Sequence, residues 1–442
     1  MRSLTAWTVR HRALVWTLAI LLVAASLFVS RAVVVNYELA NYLPKESGTS
    51  QAIAVMKETF GYTGSVRVMV EDVSLLQAKA VKDRLAAVEG VDAVVWLDDL
   101  ADLSVPLESQ DPATVETYYK DGAALYQLTL SGSDYDPKSG ETLERIRALD
   151  IEGLYLSGAS EESRGMRSLL NSEIAQILWV VVPFCVLVLL LASSTWIEPL
   201  LYLAVIGVSI ALNMGTNVIF NSVSFITHAM ASVLQLAISL DYSIFLFHRY
   251  LEERDAGASH LEALQTAGQK SFSSISASAL TTIAGFLALL MMRYSIGRDI
   301  GLVLTKGIVL SFSCVLLLMP PLIYLLSKVI DKTRHRVLRP PFGILARMSV
   351  KGRFALMILL VLLVVPAYLA QRRVAFLYGD NSGSAQQGDL TQDREAIEAR
   401  FGAYNPVILL LPSGEPAKEA ALADALAALE PVGNVQCLAT LA

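Results

Sequence analysis

Charged residues are scarce in this chain. Asp, Glu, Lys and Arg make up only 17% of the 442 residues, whereas 54% are hydrophobic and the mean hydropathy is +0.51. Soluble globular domains typically carry about 25% charged residues. The composition therefore excludes an ordinary soluble protein and indicates a chain that lies largely in a membrane.

Cysteine and the usual catalytic motifs are also rare or missing. The three cysteines are Cys185, Cys314 and Cys437, and the segment 36–171 has none, so no disulfide framework supports it. The sequence contains no GxxxxGK[ST] phosphate-binding loop, no HExxH, no paired CxxC and no GxSxG. We therefore expect no enzyme activity, no cofactor or metal and no nucleic acid partner. Any energy must come from an ion gradient or from a partner protein.

Long apolar runs dominate the chain instead. Seven stretches reach the roughly 20 residues that a helix needs to cross about 30 Å of hydrocarbon. They lie near 13–34, 174–192, 199–219, 222–247, 274–292, 300–326 and 354–370. The first lacks a small-x-small cleavage site, and a similar run recurs inside the chain, so we interpret it as a span rather than a signal peptide. The sequence predicts a polytopic helical membrane protein with about seven spans.

Basic residues predict its orientation. Three arginines precede the first span, and a basic linker connects spans 6 and 7 with Lys328, Lys332, Arg334, Arg336, Arg339, Arg347, Lys351 and Arg353 against a lone Asp331. The positive-inside rule puts both segments in the cytoplasm. The segment 36–171, with 23 acidic and 12 basic residues, then lies on the outer side of the cell (plasma or inner) membrane.

That outer segment alternates strand-like and helix-like patterns. The predicted strands are Val66–Glu71, Val91–Leu97, Ala124–Leu130 and Leu154–Leu156, and the predicted helices are Val73–Val88 and Gly140–Leu149. Two β-α-β units predict a small ferredoxin-like α/β domain. From about Glu161 a helix continues into span 2, and it could either couple the domain to the membrane or serve as a simple stalk.

The first 100 residues recur after an offset of 341. Val9–Arg12 and its following apolar run match Val350–Arg353, and the strand-like Val66–Val70 matches Val407–Leu411. These matches predict a tandem repeat of about 341 residues whose second copy is incomplete. The predicted regions are a cytoplasmic N-terminus with span 1 (1–35), an extracytoplasmic α/β domain (36–171), spans 2–6 (172–327), a basic linker (328–353), span 7 (354–371) and a partial second α/β domain (372–442).

An ionisable pair interrupts span 4. Asp241 is followed by Tyr242 within an otherwise apolar helix, and a carboxylate at a helix centre costs about 2.5–3.5 kcal/mol on insertion scales. Such a group can be set up to take up and release protons. The alternative is a wetted carboxylate near the helix end, paired with Arg249 or Lys270.

Span 4 also carries a polar stripe. Its members are His228, Ser232, Gln235, Ser239 and Tyr242, which share one helix face. Asp241 lies about 140° from the centre of that stripe. Polar groups on such different faces predict a central helix surrounded by others. His228 alone could be an interior histidine or a proton carrier.

Spans 5 and 6 offer polar groups that could meet span 4. In span 5, one arc of about 100° contains Ser271, Ser274, Ser278, Thr281, Thr282 and Gly285. This surface could serve close helix packing alone, or it could hydrate or bond Asp241. Lys306 in span 6 could extend to the membrane interface or act as a counter-charge.

The order of elements resembles the resistance–nodulation–division superfamily and, within it, the MMPL family of bacterial exporters of lipids and hydrophobic solutes. The matching motifs are Leu240-Asp241-Tyr242 with Arg249-Tyr250 in span 4, Ser278 to Phe286 in span 5, and Gly297-Arg298-Asp299-Ile300-Gly301 with Lys306-Gly307 in span 6. The resemblance implies that Asp241 and Tyr242 belong to a proton relay. Spans 2–6 are also similar to the sterol-sensing domain.

The same resemblance implies proton-driven export of a lipid or other amphiphile. In the family, a second six-span bundle completes the relay, so we expect this chain to act with a second repeat, another subunit or a second copy of itself. Membrane lipids and a hydrophobic substrate are the expected partners. The alternative is a non-transporting, lipid- or sterol-responsive membrane module or regulatory subunit.

Overall fold

The computed structural model describes residues 1–335, 342–374, 389–404, 407–411 and 414–429, with the single positions 432, 435 and 437. Six helices in this described part are long and apolar enough to cross a membrane, which confirms a multi-pass membrane protein. The predicted span near 174–192 lies at the end of one continuous helix, Ala159–Ala192, whose described apolar part includes Gln176–Ala192.

The chain starts with two helices that are separated only by His11. Helix α1 is Arg2–Arg10 and α2 is Arg12–Val29; the short strand β1 (Val35–Asn36) and helix α3 (Gly48–Thr59) follow. The Ser47 hydroxyl accepts a hydrogen bond from the Ser50 amide and so caps the start of α3. No residue of α3 is buried against the described part of the chain.

An α/β domain comes next, and its elements confirm the predicted strands and helices. They are β2 (Gly64–Val70), α4 (Leu75–Ala86), β3 (Val91–Val95), α5 (Leu97–Leu100), α6 (Pro112–Tyr118), β4 (Tyr119–Lys120), β5 (Ala123–Leu130), α7 (Pro137–Arg147) and β6 (Leu154–Ser157). The sheet order is β3-β5-β2-β6, and every neighbouring pair is antiparallel. Strand β3 ends before Leu97 because the Asp99 carboxylate accepts a hydrogen bond from the Trp96 amide, which starts helix α5.

One face of the sheet forms the core of this domain. Val66, Val68 and Val70 alternate along β2 and are buried in one cluster with Leu85 of α4 and Leu143 of α7. Residues that alternate along a strand point to the same face, so Met69 faces the other side, where it belongs to a separate buried cluster. That second face is covered by a helix from the far end of the chain, described below.

The membrane bundle follows without a break from β6. Its elements are α8 (Ala159–Ala192), α9 (Glu198–Gly215), β7 (Val223–Ser224), α10 (Phe225–Asp255), α11 (His260–Ala288), α12 (Ser295–Leu325) and the short α13 (Ser327–Lys332). The 34-residue α8 confirms the predicted continuous helix between the α/β domain and the membrane. Helix α10 contacts α8, α9, α11 and α12, and α1 packs on α11 and α12, while α2 packs on α9.

Four further helices follow the bundle: α14 (Phe342–Lys351), α15 (Arg353–Gln371), α16 (Asp389–Phe401) and α17 (Pro416–Ala427). Helix α15 has no buried side chain. Helix α16 instead packs on the second face of the first sheet, where Ile397 is buried with Met69 and Leu125. The Asp393 carboxylate accepts hydrogen bonds from Arg147 Nη2 (2.7 Å) and from the Leu156 amide (3.2 Å).

One expected strand is not formed. Val407–Leu411, which we expected to match β2, is described but belongs to no strand. In the first sheet, β2 lies between β5 and β6, and the equivalents of those two strands at the same offset would fall beyond position 442. A lone strand without neighbours is not stable in water. Arg336 and Arg339 of the basic linker and most residues after 429 lie outside the described residues.

Candidate functional site

Asp241 lies on a face of α10 where Asp241, Phe245 and His248 are exposed, which we call the open side. Its side chain is exposed, and it has no hydrogen bond or ion pair with any residue that the structure describes. The two basic residues considered as its partners are engaged elsewhere: Arg249 Nη1 lies 2.5 Å from the Glu252 carboxylate, and Lys270 Nζ lies 2.7 Å from that of Glu253. The carboxylate is therefore not neutralised by the end of its own helix.

Tyr242 turns from that open side toward α11. Its side chain is buried, and its hydroxyl lies near those of Ser278 and Thr282 without a hydrogen bond of ordinary geometry. The Thr281 and Thr282 hydroxyls both donate to the Ser278 carbonyl, at 2.8 and 2.9 Å. The predicted polar arc of span 5 thus lies beside the Asp241–Tyr242 pair, and Ser278 and Thr281 are exposed there.

Gln235, in contrast, lies inside the bundle. Its Nε2 donates to Ser311 Oγ (2.9 Å) and to the Gly307 carbonyl (3.1 Å), and its Oε1 accepts from Asn213 Nδ2 (3.0 Å). Ser209 Oγ completes the group, 3.2 Å from Gln235 Nε2 and 3.1 Å from Ser311 Oγ. We call Ser209, Asn213, Gln235, Gly307 and Ser311 the interior polar cluster. It joins α9, α10 and α12.

The rest of the polar stripe also faces the interior. Ser239 is 1% exposed, and its hydroxyl has no partner among the described residues. His228 is half-buried, and its Nδ1 likewise has no described partner. Buried polar atoms in proteins are usually satisfied by a partner or by ordered water. Both side chains are therefore placed to bind water within the bundle.

Lys306 is half-buried and forms no ion pair with Asp241. Its ammonium donates to the Asn213 carbonyl (2.9 Å), Thr216 Oγ1 (2.9 Å) and Asn217 Oδ1 (2.7 Å). These oxygens belong to the C-terminal end of α9, where the helix dipole favours a cation. In the part of the chain that the structure describes, no carboxylate forms a salt bridge with it. Lys306 thus joins α12 to the end of α9.

Sequence reasoning missed two carboxylates that organise α10. Asp299 Oδ2 accepts from the Ser224 amide and from Thr227 Oγ1, both at 2.7 Å, and so helps to cap α10. Glu198, the first residue of α9, is 2% exposed, and Tyr202 and His248 bond to it. Each acid stands at the edge of an apolar stretch, and that position was the available signal.

A resident metal finds no ligand set in the described residues: none of their His, Cys, Asp and Glu side chains come together in groups of three or more that could hold an ion. The groups that the site does bring together are the exposed carboxylate of Asp241 and the buried phenol of Tyr242. A carboxylate and hydroxyl groups supply no electron carrier and no activated nucleophile.

Comparisons with known proteins identify the family of this chain. The model of the MMPL family matches residues 41–351. "Putative membrane protein SCO6666" of Streptomyces coelicolor is 25% identical over 376 residues, 80% of this chain and 52% of that protein. "Putative membrane protein YdgH" of Bacillus subtilis is 22% identical over 87% of this chain and 44% of its own length.

A named transporter also matches. "Probable transport protein MmpL4" of Mycobacterium leprae is 26% identical over 224 residues, which are 48% of this chain and 23% of that protein. The chain spans about half the length, or less, of the curated relatives it matches. The family match covers well over half of the chain, from the α/β domain through the bundle to α14. The chain belongs to the MMPL family.

Proposed function

We propose that this chain is the first repeat of an exporter that moves a lipid or another amphiphile across the membrane and is driven by the proton gradient. Family membership and the likeness to a probable transport protein support transport. The observation that carries the coupling role is Asp241, an exposed carboxylate without an ion pair among the described residues, midway along the apolar helix α10. A charge placed there is expensive and is kept in membrane proteins for ion pathways.

The helix bounds support the tandem repeat. Helices α2 and α4 start at positions 12 and 75, and α15 and α17 start at 353 and 416, so both offsets equal 341. Helices α1 and α14 end at Arg10 and Lys351 with the same offset, although the described residues of the second set form no sheet. We infer that α15 is the first span of a second bundle, whose helices would cover the open faces of α10 and α11.

The strand order supports a ferredoxin-like porter domain. The chain order β2, β3, β5, β6 and the spatial order β3-β5-β2-β6 are those of a split β-α-β fold, with α4 and α7 as its two crossover helices. The charge distribution supports an outer position for this domain and a cytoplasmic N-terminus. Helix α8 then provides a rigid connection between the domain and the bundle.

The relay is tested in the complete protein with Asp241→Asn. Asn keeps the size and hydrogen bonding of the side chain but cannot exchange a proton, so gradient-driven efflux should be abolished while expression and folding remain normal. Tyr242→Phe should impair efflux less, because the carboxylate remains. The assay is efflux from proteoliposomes with an imposed proton gradient.

Asp255→Asn is the matched control. Asp255 ends the same helix and pairs with Arg334 outside the apolar stretch, so its loss should leave efflux unchanged. Undiminished gradient-dependent efflux in Asp241→Asn would refute the relay.

A further inference from the structure

Glu198 is a second acidic residue of interest besides Asp241. It starts α9, whereas Lys306 binds the other end of that helix. The Glu198 carboxylate accepts from the Tyr202 hydroxyl (2.6 Å) and from the Ser194 amide (3.0 Å), and His248 Nε2 lies 3.0 Å from its Oε1. Glu198 is 2% exposed, whereas the His248 side chain is 51% exposed. The imidazole of His248 thus connects the buried Glu198 carboxylate with the surface of the bundle.

His248 also shares the open face of α10 with Asp241. The two residues are seven apart, which places them within about 20° around the helix axis and about 10.5 Å apart along it. Both are exposed, as is Phe245 between them. A proton leaving Asp241 toward this end of the bundle therefore meets His248 on the same surface.

The charged neighbours of His248 are compatible with proton uptake by its imidazole. Besides Glu198 and Tyr202 on α9, the acid facing it is Glu252, one turn further along α10 and itself 2.5 Å from Arg249. In the described residues, no Lys or Arg forms a salt bridge with Glu198. A buried carboxylate without a cation is costly, and a histidine that takes up a proton supplies that cation reversibly.

We propose that His248, held by Glu198, is the group that accepts the proton released by Asp241 and delivers it to the cytoplasm. This rests on the proposed relay and the proposed orientation. The proton leaves the Asp241 carboxyl, passes through water along the roughly 10.5 Å to His248, binds its Nδ1 and makes an imidazolium paired with the Glu198 carboxylate. Loss of a proton from the ring to cytoplasmic water restores the neutral imidazole, so water is the only other reactant.

The test uses the complete transporter in proteoliposomes with His248→Gln. Glutamine can still donate to Glu198 but cannot carry a proton, so efflux should fall by about 10²-fold, the lower end of what a positioned proton-transfer group contributes. Imidazole added on the cytoplasmic face should partly restore the rate in a concentration-dependent way. If His248→Gln transports at the parent rate, the His248–Glu198 pair serves only to hold α9 against α10, and the proposal is overturned.

His260→Gln is the matched control. His260 bonds to the Tyr250 hydroxyl at 2.8 Å near the same end of the bundle, away from the Asp241 face, and its loss should leave efflux unchanged. Glu198→Gln should make efflux fall more steeply as cytoplasmic pH rises, because the imidazolium loses its partner.

The two proposals fail in different ways. If Asp241→Asn abolishes efflux while His248→Gln is as active as the parent and shows the same dependence on cytoplasmic pH, only this inference is overturned. If Asp241→Asn is active, the relay itself is overturned. Near-wild-type elution of each variant in detergent shows that it is folded and that its rates can be compared.

Discussion

Helix α10 presents polar side chains to two regions, the interior polar cluster and the open side, and the contacts in these regions differ. The interior polar cluster is buried, and Gln235 there makes hydrogen bonds to two other helices. On the open side, Asp241 is exposed and unpaired within the described residues, and the neighbouring Ser278 and Thr281 are exposed. The interior polar cluster is held together by hydrogen bonds among described residues, whereas Asp241 on the open side has no partner among them.

The difference separates stability from function. Lipid cannot satisfy a polar group, so polar side chains that fold a bundle are paired inside it. Asp241, which has no partner among the described residues, makes no hydrogen bond or ion pair that stabilises this bundle. Mutations in the interior should therefore change folding, and mutations on the open side should change assembly and transport.

The largest effect is expected from a matched pair of glycine substitutions in the isolated chain. A Cβ at Gly307 would lie 2.7 Å from Asn213 Nδ2, whereas a Cβ at Gly285 meets no atom within 4 Å. Gly307→Leu should lower the free energy of unfolding by about 3 kcal/mol through overpacking. Gly285→Leu should leave it unchanged or slightly raised.

Unfolding titrations in mixed detergent measure both variants. Equal losses would contradict the division into a filled and an open region. In the complete protein, Gly285→Leu should lower transport, since a second bundle would approach α11 closely at this small residue.

A smaller effect should follow from Gln235→Leu. Leucine removes the amide that joins Asn213 and Ser311 and leaves their polar groups unpaired, which we expect to destabilise the chain by about 1–2 kcal/mol. Ser278→Ala on the open side is the control, with no change in unfolding. The same detergent titration distinguishes them, and a silent Gln235→Leu would mean that the cluster contributes nothing to folding.

The smallest effect concerns self-association. The isolated chain should fold, move no substrate and form dimers through α10 and α11, because exposed polar groups are better paired across helices than left in lipid. Asp241→Leu should weaken that dimer only about threefold, the value of one membrane hydrogen bond of about 0.6 kcal/mol. Sedimentation in detergent checks this, and a strictly monomeric parent chain would contradict it.

The regular patterns of the sequence predicted much of this architecture. Strand alternation predicted β2 and β5. Polar groups on two faces predicted that other helices surround α10, which holds for Gln235 and Ser239 but not for the exposed Asp241. The Glu198 network was missed because its partners come from a loop and from α10, 50 residues away in the case of His248. Periodicity describes one element at a time and does not indicate which elements meet.

The docking of α16 was missed for the same reason. Arg147 and Asp393 are 246 residues apart, and the local sequence of α16 does not indicate which element it contacts. Its position relative to the first sheet depends on tertiary packing alone. The Val407–Leu411 expectation failed differently, since the local pattern was strand-like but its sheet neighbours are not in this sequence.

That docked helix has a mechanical consequence. Helix α15 has no packed side, yet the chain just beyond it is fastened to the first domain by Asp393 and by the Arg400–Glu71 ion pair at 3.2 Å. Separating α16 from the first sheet must therefore break both ion pairs and expose the apolar side chains of Met69, Leu125 and Ile397 that the helix buries.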